Sequence, residues 1–167
     1  MPLHPLRDAL YAKVREQVDL ARTLMERLPD EGFEWTPPGG GWSTARLLGH
    51  LLDCLAGMCA ALYAAHPDAL GHFAALRGLP VNHGCGREEA RARMDQYAAS
   101  IAEGFAVLAD ADLARPIPTV FVPAGEKLLT LILGNLEHLI NHKHELFARL
   151  KLMGVAVGTR DLYRFRE

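Results

Sequence analysis

Two histidines four residues apart, His138 and His142, sit in an apolar stretch near the C-terminus, LLTLILGNLEHLINHKHELFARLKLMG. On a helix that spacing puts both imidazoles on one face, a turn apart, where they can hold one transition-metal ion together. A third histidine, His50, lies in a second apolar segment, GWSTARLLGHLLD. Three neutral imidazoles with open coordination positions are what a catalytic metal site requires, so the chemistry turns on whether these three converge.

Their neighbours in sequence sharpen the question. Asn135, His138, His142, Glu145 and Arg149 fall on one stripe of a helix at steps of three and four, flanked by Leu and Ile positions. A polar stripe between apolar ones fits a helix that lines an internal cavity, as bundles do when they build sites from facing helices. His50 shares its face with Leu47, Asp53, Cys54 and Met58. A histidine inside LLGHLL needs a polar partner once it is buried. Cys54 lies one turn beyond His50, within reach of a metal, but reads first as a small apolar core residue. Cys59 and Cys85 carry no chemical signal. His144 is two residues from His142 and so points away, toward solvent; His4, His66, His72 and His83 lie in loops or near the termini and are not expected to ligate. Glu145, one turn after His142, and Asp53 are the candidate catalytic carboxylates, either as general bases or as groups that orient the imidazoles.

The elements that must position these residues are helical. Apolar residues at mixed three- and four-residue steps predict a first helix over about 5–28, ended by Pro29. The Pro/Gly-rich FEWTPPGGG is a loop, with Trp35 and Trp42 bracketing it and covering one end of the molecule. Ser43 is the N-cap of a second helix over 44–65, closed by His66-Pro67. A short helix near 69–76 gives way to the breakers Gly78, Pro80, Gly84 and Gly86, and a third long helix spans about 87–108. The stretch RPIPTVFVPAGEK, with three prolines, is expected to be an extended connection rather than a paired strand. A fourth helix runs over about 127–153 with Gly154 as its C′ residue, and the tail adds one helical turn after Thr159. The expected fold is all-α, a four-helix bundle with longer crossover connections, in a single domain over 1–167.

The composition narrows the function classes. Half the 167 residues are apolar, 23% are charged, and the formal charge is −2, with Lys and Arg scattered. That balance gives no reason to expect nucleic acid or an anionic membrane as a partner. No uninterrupted apolar run reaches the length of a membrane span, and the N-terminus lacks the apolar core of a signal peptide. Three cysteines make no disulfide framework and suggest a reducing, cytoplasmic setting.

Two segments resemble the DinB/YfiT-like family of metal-dependent bundle proteins. GWSTARLLGHLLD looks like that family's W-S-x-x-x-x-L-x-H-L helix start, which places the first ligand on His50. EHLINHKHELFARLKLMG is similar to its H-x-x-x-H helix ending in L-R/K-x-x-G, which places the others on His138 and His142. The order of elements matches along nearly the whole chain. One departure is that many members read H-H-R-G-Q around the last ligand, where this chain has Asn141-His142-Lys143-His144-Glu145.

The resemblance implies a four-helix bundle binding one divalent ion, Zn, Ni, Mn or Fe, with water in the open positions. It also implies a homodimer, for which exposed apolar positions on the first and third helices leave room. Some relatives are thiol-S-transferases using a low-molecular-weight thiol; others are isomerases or hydrolases. The leading expectation is therefore an enzyme whose three-histidine site activates a thiol or water against a small-molecule substrate, thiol transfer being favoured over hydrolysis by the resemblance. The rivals are a non-catalytic, stress-associated metal-binding bundle, closed by a fourth ligand such as Cys54 or Glu145, and a plain helical interaction module.

Overall fold

A computed structural model of the chain describes residues 3–78, 81–119 and 122–164. Within them four long helices form in chain order: α1 (Pro5–Glu26), α2 (Thr44–Ala65), α3 (Arg87–Val107) and α4 (Leu128–Leu152). The all-α bundle expected from the periodicity is present. Helix ends fall within two residues of their expected places. α1 opens with Pro5, whose missing N–H costs nothing in the first turn. α2 opens at Ser43, whose hydroxyl accepts the Arg46 N–H at 3.3 Å. α4 ends where Gly154, at φ 80°, takes the left-handed C′ conformation. Its N–H donates to the Lys151 carbonyl and that of Val155 to the Leu150 carbonyl, the paired bonds of a Schellman ending.

Two expectations for the connections need correction. The expected short helix at 69–76 is a 3-10 helix, Gly71–Gly78. The proline-rich connection was expected to stay unpaired, yet Pro116–Ile117 (β1) pairs antiparallel with Glu126–Lys127 (β2). The pairing is only two residues long because the flanking prolines lack N–H donors and cannot extend a ladder. The 3-10 turn Thr159–Asp161 bears out the helical turn expected in the tail. The expected breaker Pro80, and Val120 and Phe121 of the connection, lie outside the described residues.

α2 packs against α4 and α3, and α1 packs against the same two helices. Consecutive helices α1 and α2 therefore sit diagonally, as do α3 and α4. Contacts between Arg7 and Phe105, and between Arg91 and Glu26, run α1 antiparallel to α3. Asp53 meets Arg93 and Cys59 meets the Tyr97 carbonyl, so α2 and α3 run parallel. Parallel neighbours need a connection that travels back the length of α2; the segment after His66 makes that return.

The core runs the length of the bundle, and α2 supplies much of it: Leu47, Leu48, Leu51, Leu52, Leu55, Met58 and Leu62 are fully enclosed. α2 is long and apolar enough to cross a membrane by composition, but most of it is covered by its neighbours, as suits a central core helix.

A lysine is buried among the inward positions of α4. On α4 the inward positions run Ile132, Leu136, Leu139, Lys143, Leu146 and Leu150, and Lys143 is 2% exposed. Its ammonium donates to Gln17 Oε1 at 2.6 Å and to the Leu162 carbonyl at 2.8 Å, which ties the tail to α1 and α4. Burial pushes its pKa down from 10.5 to about 8. Between those values the unfolded chain holds the proton more tightly, so the cost of burying the charge is lifted as pH rises through that window. Gln17→Leu, which removes an acceptor from a buried ammonium, should cost on the order of 1–3 kcal/mol at neutral pH and less at about pH 9.5. Urea unfolding at both values checks this; an equal loss at both would contradict a buried, charged Lys143.

Candidate metal centre

Three contacts define the seam between α2 and α4. The Trp42 carbonyl, just before α2, accepts from Arg149. His50 stands against His138 and His142, with ring centroids 5.1 and 4.6 Å away. Asn135 Oδ1 lies so close over Gly57 that a Cβ there would overlap it. Residue numbers rise along one helix as they fall along the other, so the helices are antiparallel, and the polar stripe of α4 faces α2 along its length.

His50, His138 and His142 each offer a ring nitrogen, and the three nitrogens lie within 4.8 Å of one another. The three expected ligands converge. A set of three imidazoles suits zinc and the neighbouring divalent transition metals and is poorly suited to calcium or magnesium, which prefer oxygen. The donor set thus fits a metal-binding site.

Two of the three rings have one nitrogen held by a neighbouring group. His142 Nδ1 lies 3.3 Å from Glu145 Oε2, and a carboxylate can only accept, so Nδ1 carries the proton and Nε2 keeps its lone pair. Glu145 is itself held by Arg149, whose Nη2 donates to Oε1 at 2.7 Å while Nη1 donates to the Trp42 carbonyl at 2.8 Å. His50 Nδ1 lies 2.7 Å from Asn82 Oδ1. The Trp42 ring meets His50 edge-on at 5.2 Å and carries the Arg46 guanidinium on its face at 4.6 Å.

Electrostatics favour neutral rings. Burial lowers the pKa of His138 below its ordinary value, and the charges of His142 and His50 add to the effect. Burial also lowers that of His142, opposed in part by its bond to Glu145. An imidazole kept neutral is an imidazole able to ligate.

The other candidates fall outside the cluster. Cys54 turns its thiol onto the His50 carbonyl at 3.4 Å, and burial pushes its pKa up to about 12, far from the thiolate that would ligate. Cys59 and Cys85 are buried thiols as well. His144 is exposed and stacks on Phe147. His66, His72 and His83 lie beside Asp112, Glu103 and Glu89. Asp53, expected near His50, is 4.0 Å from its Nδ1, and both its oxygens are engaged: Oδ1 with Arg93 Nη2 at 2.8 Å and Oδ2 with the Asn82 N–H at 2.7 Å. Asn82 and Arg93 are the residues that sequence reasoning missed. Arg93 carried a signal, since it lies beside the apolar positions Ala90, Met94 and Tyr97 of α3; Asn82, in a loop, carried none.

A cleft of about 490 Å³ continues along the same seam. Asn135, one turn before His138, and Gly57, two turns after His50, open it; Ala60, Ala61, Ile117 and Leu131 form apolar walls.

A family model described as the DinB superfamily matches residues 13–146. Among solved structures, the DinB-like protein YjoA from Bacillus subtilis superposes with a TM-score of 0.68 at 15% identity, over 89% of this chain and 94% of that one. At that identity the likeness concerns the fold. No curated protein matches the sequence.

His138 and His142 bind protons more weakly folded than unfolded, so just below the ordinary value of 6.5 the unfolded chain takes up more protons and stability falls with pH. The metal-free protein should lose thermal stability between about pH 7 and about pH 5.5, and the double replacement His138→Gln, His142→Gln should flatten that part of the profile. A parent profile that rises toward acid, or a double variant with the parent's slope, would contradict imidazoles kept neutral by the fold.

Proposed function

The chain belongs to the DinB superfamily, and we propose that its three histidines hold one divalent transition-metal ion in a catalytic site that activates a thiol or a water molecule against a small-molecule substrate. The observation that carries this reading is the convergence of His50, His138 and His142 from two antiparallel helices, with Glu145 and Asn82 on the far side of two of the rings. Zinc, nickel, manganese or iron fits the donor set. When bound, such an ion supplies Lewis acidity that lowers the pKa of a thiol or water brought against it.

The remaining work falls to this chain's own groups. Glu145 accepts a hydrogen bond from His142 Nδ1–H and is held in place by Arg149. Trp42 packs edge-on against the His50 ring. The cleft beside Asn135 offers apolar space for the body of a substrate. An open site is favoured over a closed structural one because Cys54 is turned away and Glu145 is spent on His142 and Arg149. Within this reading a low-molecular-weight thiol as co-substrate, a thiol-S-transferase-like reaction and, second to it, hydrolysis are our proposals from the family. A homodimer is proposed with them, supported by the exposed Leu6 of α1 and Val107 of α3. A cytoplasmic setting is proposed as well, supported by three free cysteines.

Elemental analysis of tag-free protein tests the reading. The parent should carry about one divalent ion per chain, His50→Ala should lose it, and His144→Ala should keep it. The loaded parent should then transfer a small thiol to an electrophile, or cleave an ester, at a rate that His50→Ala lacks. Metal retained by His50→Ala at the parent level would overturn the site; metal without either activity would leave a non-catalytic metal-binding bundle.

A further inference from the structure

We propose that Asn82 is a positioning residue for His50, fixing the ring as its Nδ1–H tautomer so that Nε2 keeps the lone pair, and that α2 itself builds the seat for the loop that carries Asn82. The proposal deepens the metal-site reading and rests on it for its consequence, but the contact is a feature of the protein alone. The side-chain oxygen of Asn82 faces His50 Nδ1 at 2.7 Å. An amide oxygen only accepts, so the ring nitrogen opposite it must carry the proton.

The reason Asn82 stands there lies in the return segment between α2 and α3. Its last part descends along the first half of α2 and docks on three positions one turn apart. At the bottom the Cys85 N–H donates to the Ala45 carbonyl at 3.3 Å. In the middle the His83 carbonyl packs directly over Gly49, where any Cβ would overlap it. At the top the Asn82 N–H donates to Asp53 Oδ2 at 2.7 Å. Ala45, Gly49 and Asp53 form an i, i+4, i+8 stripe beside His50, and only a residue without a side chain in the middle lets the loop come this close.

Asp53 in turn is anchored from α3 by Arg93, which is 7% exposed. That bond is charge-assisted and sheltered from water, which makes Asp53 a fixed point rather than a mobile carboxylate. Asn82 itself is at φ 55°, a left-handed conformation that Asn tolerates better than most residues. Arg93, Asp53 and Asn82 thus form one line of bonds from α3 to the His50 ring. On the other side of the cluster Arg149 and Glu145 form a matching line to His142. A ligating histidine whose second nitrogen is so held has its tautomer and ring orientation set before the ion arrives.

Long-range 1H–15N NMR of the metal-free full chain, with zinc affinity by chelator competition, tests this on Asn82→Ala and Asn82→Asp. The parent should show His50 as the Nδ1–H tautomer. Asn82→Ala should shift His50 toward the Nε2–H form, leave the His142 signals in place and weaken zinc binding about 10-fold or more. Asn82→Asp, which keeps an acceptor, should restore both, which a loop merely needed for folding would not do. A parent His50 in the Nε2–H form, or an Asn82→Ala variant with parental tautomer and affinity, would overturn the proposal. The NMR readout needs no metal: if the parent took up no zinc while the tautomer still followed residue 82, the metal reading would fall and the positioning contact would stand.

Discussion

The antiparallel contact of α2 with α4 is the constraint on which the rest of the molecule depends. Two helices each carry a polar face through an apolar bundle, and neither face can be buried without the other. His50 needs partners because LLGHLL draws it partly inside; His142 is half-buried against it, and His138 joins the cluster from its exposed edge. Set antiparallel, the helices bring Trp42 to Arg149, His50 to the histidine pair and Gly57 to Asn135. The small residue at Gly57 lets the backbones approach at the Asn135 level, and the cleft opens beyond it.

Around that seam, among the described residues, three buried charges each have a different task. Arg149 binds the start of α2 to α4 and fixes Glu145. Arg93 binds α3 to α2 and fixes Asp53. Lys143 faces the opposite way from the histidines and fixes the tail against α1. Burying a charge destabilises unless its hydrogen bonds are met; each of these makes at least one bond to another element, although Nε and Nη1 of Arg93 are buried without a hydrogen-bond partner. The charges therefore specify which elements meet rather than adding to the bulk of the core. Two of them stand behind the histidine cluster, Arg149 through Glu145 and Arg93 through Asp53 and Asn82, which links the register of the helices to the orientation of the rings.

Much of this was legible in the sequence because it is local. The 3.6-residue periodicity marks four helices, the Ser43 cap and His66-Pro67 bound α2, and Gly154 ends α4. The three candidate ligands were legible because the spacing of His138 and His142 on one helix and the place of His50 in an apolar run are both local signals, and the family resemblance named the same residues. What depends on tertiary docking was not. The role of Asn82 follows from a loop lying on Gly49, a contact between distant parts of the chain that no periodicity reports. Asp53 was read as a candidate base because it lies three residues from His50; that Arg93 and the Asn82 backbone occupy both its oxygens depends on α3. Lys143 held a signal, as a charge standing between Leu139 and Leu146 in the apolar run of α4. The β1–β2 pair was missed because proline content argues against a ladder in general, while two residues between prolines can still pair.

The central claim is that three imidazoles, and no thiol, hold a divalent ion with coordination positions left open. X-ray absorption at the zinc edge of the zinc-loaded full chain tests it most directly. Three imidazole nitrogens at about 2.0–2.1 Å, the remainder of the shell oxygen and no sulfur, are expected. A sulfur scatterer at about 2.3 Å, or a shell with fewer than three imidazoles, would contradict it.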